Sequence, residues 1–219
     1  KNKIDNINVH HLWDKAKKLG NEYELIYLPN RKNKYDSIAA YQPLSRSYFK
    51  LWEIIKDFDL IKENNKYNIL CLAEGPGGFI DAIINFRKKQ NITDDITAIT
   101  LKSSNKDIPG WKKANKFLQN NKNIKITYGK DKTGDLYNLE NIIFLRNISK
   151  HAVDFITADG GFDFSINFNK QEELSYRIIF CEIVTALATQ KKNGCFVCKI
   201  FDLCTPVTIK LLYILYNSY

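Results

Sequence analysis

From Ser45 to the C-terminus, apolar residues recur in two rhythms that alternate along the chain. In "SRSYFKLWEIIKDF" the apolar positions are Tyr48, Phe49, Leu51, Trp52, Ile55 and Phe58. That spacing lines one face of a helix, with Ser45 or Ser47 available to cap its start. Strand patterns then appear in "YNILCLAE", "DITAITLK", "NIKITYG", "AVDFITADGG" and "GCFVCKIFD". Between them lie the helical patterns "GFIDAIINFRKK", "GWKKANKFLQN", "NLENIIFLRNIS" and "KQEELSYRIIFCEIVTALATQKK". A last helix is expected from Thr205 through "TPVTIKLLYILYNSY", with Pro206 in its first turn. Strands separated by helices of this length predict βαβ units, and so an α/β fold with a mostly parallel twisted sheet between two helical layers. Residues 1–40 are polar with weak periodicity and read as an N-terminal extension, with one helix near His11–Leu19. Residues 41–219 form the main domain; no internal repeat or low-complexity block interrupts it.

Composition narrows the partners. The 219 residues carry 33 Lys and Arg against 24 Asp and Glu, a net charge of +9. Such a surplus suits a polyanion such as nucleic acid, although a solvated lysine-rich surface has the same composition. No apolar stretch reaches the roughly 18 residues of a membrane span. The opening "KNKIDNINVHHLWDK" lacks the apolar core of a secretory signal. The five cysteines are odd in number, which points to reduced thiols and an intracellular setting. Cys195 and Cys198 form a C-x-x-C, but within a strand that spacing turns the two side chains to opposite faces, against a metal site. The chain has no methionine, so it reads as a piece of something longer.

The chemistry concentrates at "LCLAEGPGGFIDAIINF", Leu70–Phe86. In a parallel sheet, ligands bind outside the carboxyl ends of the strands. Gly75, Gly77 and Gly78 lack the Cβ atoms that would hold a ligand away from the backbone. The helix opening at Phe79 offers N–H groups and a positive dipole end to an anion, while Glu74 offers a carboxylate to an ammonium. Cation and anion receptors side by side fit a zwitterion. Neither G-x-G-x-x-G nor G-x-x-x-x-G-K-[ST] is present, against a dinucleotide or P-loop site. A tight turn without a ligand is the alternative.

"AEGPGGFIDAI" resembles the S-adenosylmethionine-binding turn of the FtsJ-like RNA ribose 2′-O-methyltransferases, with their Rossmann-like class I methyltransferase fold. Three further segments resemble the same family in the same order. "SRSYFKLWEI" is similar to its N-terminal catalytic-lysine helix, at Lys50. "DFITADGGF" resembles the strand end with the catalytic aspartate, at Asp159. "GCFVCKIFD" resembles the strand with the second catalytic lysine, at Lys199. "YGKDKTGDLYNLENI" and "NKQEEL" are similar to the branch that modifies the 5′ cap of mRNA, which includes versions in large DNA viruses. The resemblance implies methyl transfer from S-adenosylmethionine to a ribose 2′-hydroxyl of capped mRNA. A ribosomal or transfer RNA 2′-O-methyltransferase, or a non-catalytic RNA-binding scaffold of the same fold, are the alternatives. Implied donor contacts are Glu74, Gly75, Pro76, Gly77, Gly78, Phe79, Leu101, Asp135 and Asp159. Asp135 falls where the family contacts the adenine amino group, although capping of the following helix would also explain it. For RNA the candidates are Arg46, Lys102, Lys112, Lys113 and the N-terminal lysines, with Tyr48, Trp111 and Trp13 available for base stacking. The family's fourth catalytic residue, a glutamate, and its final strands are expected beyond Tyr219.

Overall fold

The computed structural model describes residues 41–219 except 89, 106–107 and 162–169, with Leu12, Ala16, Gly20, Ile26 and Ala39 before them. Trp13, the N-terminal lysines and most of the helix expected at His11–Leu19 lie outside the described residues. The chain runs α1 (Ser47–Asp57), β1 (Asn68–Leu72), α2 (Gly78–Arg87), β2 (Asp95–Ile99), a 3₁₀ turn (Trp111–Ala114) leading into α3 (Asn115–Asn120), β3 (Ile124–Thr127), α4 (Leu139–Ser149), β4 (Val153–Ala158), α5 (Gln171–Thr189), β5 (Gln190–Cys198) and α6 (Pro206–Ser218). The sheet order is β3-β2-β1-β4-β5 and every pairing is parallel.

Alternation along each strand feeds two cores. In β1, Ile69 and Cys71 join a cluster with Leu51, Ile55, Phe79 and Ile83 from α1 and α2. Leu70 and Leu72 face the other way, into a cluster with Leu145 of α4 and Ala186 of α5. Residues two apart share a face, so one strand is buried on both sides and reads as an apolar run. The same rule splits the C-x-x-C pair: Cys195 packs on the first cluster and Cys198 on the second. A third cluster joins Ile179 and Ile183 of α5 to Leu211 of α6. The start of α6 is anchored to α5 by Glu172, whose Oε1 accepts from the N–H of Cys204 at 3.0 Å and of Thr205 at 2.8 Å. No helix among the described residues is long and apolar enough to cross a membrane.

Several boundaries differ from the sequence pattern. The helix expected over Gly110–Asn120 opens as a 3₁₀ turn and only its second half is α-helical. The long helix expected to reach Lys192 ends at Thr189. Residues 191–194, "KKNG", instead form an irregularity in β5, where Val153 faces Gln190 but Phe155 already faces Cys195. Asn193 takes a left-handed φ of 64° there, a conformation asparagine tolerates. Neither Ser45 nor Ser47 caps α1. Arg46 is the N-cap and the two hydroxyls bond each other at 2.7 Å.

The loops leaving β1, β2 and β3 lean on one another at the carboxyl edge of the sheet. A Cβ on Gly75 would stand 2.7 Å from the carbonyl oxygen of Pro109, and one on Gly134 would overlap the carbonyl oxygen of Thr100. Gly134 also has φ +72°. Gly134→Ala therefore meets both backbone strain and a rigid neighbour, and is expected to cost about 1–3 kcal/mol. A urea midpoint unchanged by that substitution would show that the two loops part easily.

Candidate active site

The order β3-β2-β1-β4-β5 reverses direction between β1 and β4, which makes their carboxyl ends the topological switch point. Leu72 pairs with Ala158, and Ala158 with Cys198, so the three strands end level with one another. Glu74, Asp159 and Lys199 follow those ends. Three segments far apart in sequence thus deliver two carboxyl groups and an amine to one edge.

Lys199 and Asp159 are in direct contact. Nζ lies 2.8 Å from Oδ1 of Asp159 and also donates to its main-chain carbonyl at 3.0 Å. The Lys199 amide donates to Ala158 O at 2.9 Å, extending the β4–β5 ladder by one bond and fixing where the side chain starts. The two side chains retain 23% and 18% exposure, so solvent reaches the pair. The Phe201 ring lies beneath the amine, 5.0 Å from its centre. A Cβ on Gly161 would stand 3.2 Å from Nζ, so the glycine leaves room for the amine.

Glu74 is buried at 2% exposure. Ala73, with φ +50°, turns the chain inward before it. One carboxyl oxygen accepts from the amides of Phe79 at 2.9 Å and Ile80 at 3.3 Å. The helix N-terminus expected to receive an anion is therefore already filled by Glu74 itself, a short loop placing an acid on the dipole of its own helix. The other oxygen, Oε2, has no hydrogen-bond partner. Burial pushes this carboxyl well above the usual range and the negative Asp159 adds to the rise, with the Ile80 and Phe79 amides and Lys199 opposing it.

The glycines also act differently from expectation. The Cβ directions of Gly75 and Gly78 point at protein: at Pro109 for the first, and at the hydroxyls of Ser45 and Ser47 for the second. Gly77 takes φ +108°, with Leu44 and Trp111 beside it. These residues let α1 and the neighbouring loop approach the turn closely. The Gly75–Pro76 peptide is cis.

Tyr48 and Trp111 are corrected from base-stacking candidates to core side chains, at 7% and 8% exposure. Tyr48 lies on the buried face of α1 and stacks on Trp52, ring centres 5.7 Å apart. Trp111 belongs to the same cluster. Their helical or turn spacing placed them inward, which their aromatic character alone did not reveal. Lys102, Lys112, Lys113 and Leu101 are exposed, and Lys102 Nζ sits 5.6 Å from the centre of the Tyr128 ring. Lys50 is exposed on α1. It is not among the partners of Asp159 or Lys199.

Asp135 does not cap α4; Asn138 does, accepting from the Glu140 amide at 3.0 Å. Asp135 makes a short turn, its Oδ1 accepting from the Tyr137 amide at 2.8 Å. Buried Asn141 holds this loop by donating to Asp135 O at 2.8 Å and to Asp131 Oδ1 at 2.9 Å.

One residue at the edge was absent from the sequence reading. Glu182 of α5 is fully buried, and its Oε1 accepts from the Gly160 amide at 3.0 Å. Its other oxygen lies 3.9 Å from the Cys198 thiol. The signal was a carboxylate inside the apolar run "IIFCEIVTALA", where an unpartnered charge is costly.

The parallel sheet with two acids and a lysine at its switch point makes this an α/β domain, and in such folds ligands bind in the crevice at that point. The model of the FtsJ-like methyltransferases matches residues 43–219. The chain belongs to the FtsJ-like methyltransferase family. It is 31% identical to the cap-specific mRNA (nucleoside-2′-O-)-methyltransferase 1 of Mus musculus, over 85% of this chain and 24% of that protein. It is 32% identical to the cap-specific mRNA (nucleoside-2′-O-)-methyltransferase 2 of Pongo abelii, over 78% of this chain and 23% of that protein. The chain thus spans about a quarter of the length of these curated relatives. A Plasmodium falciparum chain named as a ribosomal RNA methyltransferase shares the fold, with a TM-score of 0.55 and 20% identity over 79% of this chain and 85% of that one.

Proposed function

We propose that this domain transfers a methyl group from S-adenosylmethionine to a ribose 2′-hydroxyl of RNA, at the 5′ cap of mRNA. The observation that carries the reading is the Lys199–Asp159 pair at the switch point beside buried Glu74, in a chain similar along most of its length to cap-specific enzymes. The unpartnered Oε2 of Glu74 fits an ammonium group of the donor, because a buried carboxyl oxygen without a partner is costly to leave so. Gly75, Pro76, Gly77, Gly78 and Phe79 would wall the donor, with Leu101 and Asp135 on the neighbouring loops. Bound there, the donor supplies an electrophilic methyl carbon and a neutral thioether leaving group.

The protein's task is then alignment and proton handling. Beyond Cε, Nζ of Lys199 has three tetrahedral positions, and Asp159 takes two of them. One position remains. In the ammonium form it is an N–H that stabilises oxygen negative charge; in the amine form it is a lone pair that accepts the hydroxyl proton. Either way Asp159 aims that position. When the 2′-oxygen is methylated its proton would pass to the Lys199 lone pair in the amine form, or to water in the ammonium form, where Lys199 would only stabilise the oxygen's negative charge. Lys50, the other lysine that the family resemblance implies, would add a second positive charge for the same chemistry. Arg46 and Lys102 would meet phosphates, whose contacts position RNA without reading its sequence.

Calorimetry against S-adenosylmethionine, followed by transfer of labelled methyl to capped and uncapped RNA, tests the reading. Donor binding with transfer favouring capped RNA is expected. Equal transfer to uncapped ribosomal or transfer RNA would move the substrate to those classes. No heat at millimolar donor would leave a scaffold.

A further inference from the structure

The fully buried Glu182 touches no solvent, yet it contacts both strand exits that carry the Asp159–Lys199 pair. Its Oε1 holds the amide of Gly160, the residue after Asp159. Its Oε2 faces the thiol of Cys198, the residue before Lys199. Gly160 has no side chain because a Cβ there would overlap Oε1 of Glu182. From these contacts we infer that Glu182 is a positioning residue that sets the separation of Asp159 and Lys199 by gripping the residue next to each. The inference deepens the proposed methyl transfer and rests on Asp159 and Lys199 serving it.

The geometry gives Glu182 two separable duties. Its oxygen must accept from Gly160, which glutamine can do as well as glutamate. A leucine of similar bulk cannot, and would leave a buried amide unpaired. Its charge is the second duty. Burial pushes the Glu182 carboxyl up to about 8; Lys199, the Gly160 amide and the Cys198 thiol oppose the rise, and the negative Asp159 adds to it. Cys181, the preceding residue in its helix, and Tyr137, on the segment before α4, are near enough to interact with it electrostatically. Below that pH burial holds Glu182 neutral; above it a second negative charge joins Asp159 at this edge, where Glu74 also interacts with Lys199. Because the groups interact, the step belongs to the cluster rather than to one residue.

The test compares wild type, Glu182→Gln and Glu182→Leu in the full chain, with two readouts. The first is single-turnover methyl transfer at saturating S-adenosylmethionine and capped RNA. Leu is expected to lower the rate about 10–100-fold with KM for the donor little changed, the range seen when supporting groups around a site are lost. Gln is expected to recover most of that loss. The second readout needs no turnover: the Lys199 side-chain NMR signal, followed with pH. In wild type it is expected to show an inflection near the Glu182 titration at about 8, and to lose it in both variants. The inference is overturned if Leu and Gln behave alike in rate, or if the Lys199 curve is the same in all three proteins. Should wild type transfer no methyl group, the proposed function fails, and the NMR comparison alone decides whether Glu182 governs the pair.

Discussion

Lys199→Ala is expected to lower single-turnover methyl transfer by about 10²–10⁴-fold, the usual worth of a positioned acid–base group. Donor affinity, read by calorimetry, should change little, since the groups nearest the glycine turn remain in place. The reasoning is geometric. The Lys199 amide is tied to Ala158 O at 2.9 Å and its Nζ to two oxygens of Asp159, so the amine has a fixed direction before any substrate arrives. Alanine keeps the ladder bond and deletes the directed group. Lys199→Arg separates the two chemical roles left by that geometry. A guanidinium donates hydrogen bonds but does not accept a proton. A rate restored to within about threefold by arginine would assign Lys199 to stabilising the oxygen's negative charge; a rate as low as that of alanine would assign it to taking the proton. A Lys199→Ala enzyme with an unimpaired rate would remove Lys199 from the chemistry altogether.

The parts of this site that the sequence displayed are those governed by local pattern. The five-strand alternation, the apolar runs leading to Glu74, Asp159 and Lys199, and the glycine turn all follow from spacing within a dozen residues. The opposite faces of Cys195 and Cys198 follow from the same period of two. What the sequence hid depends on which partner fills a space. Glu74 could equally have faced a ligand's ammonium or its own helix, and only the folded turn shows one oxygen on Phe79 and Ile80 and the other unpaired. The three glycines read as openings for a ligand, whereas the Cβ directions of Gly75 and Gly78 are used by Pro109 and by Ser45 and Ser47 at the start of α1. Tyr48 and Trp111 read as stacking platforms, but both side chains are buried in the core, Tyr48 stacked on Trp52. The extra residues at 191–194 shortened α5, because the register of β5 against β4 is set across the sheet rather than along the chain.

The largest effect on stability is expected at Arg87, well away from the chemistry. Its side chain is 4% exposed and that of Asp94 1%. The guanidinium grips the carboxylate with two bonds of 2.8 Å, Nε to Oδ2 and an Nη to Oδ1. Its remaining N–H groups donate to the carbonyls of Lys62 and Asn65 and to Gln90. Asp94 Oδ1 accepts in addition from the Tyr67 amide at 2.9 Å. One ion pair therefore closes the end of α2 against the entries to β1 and β2. Both charges were taken out of water to build it, so the pair's net worth against an apolar pair is small, but removing one partner strands the other. Arg87→Ala is expected to cost about 3–5 kcal/mol in urea unfolding, with a Tm lower by roughly 10 °C. Added salt should change that cost little, because a buried pair is poorly screened. The double variant Arg87→Leu with Asp94→Leu should recover much of the loss, since neither charge is then stranded. A cost under about 1 kcal/mol for Arg87→Ala would put the pair among surface ion pairs and show that water reaches Asp94 once the guanidinium is gone.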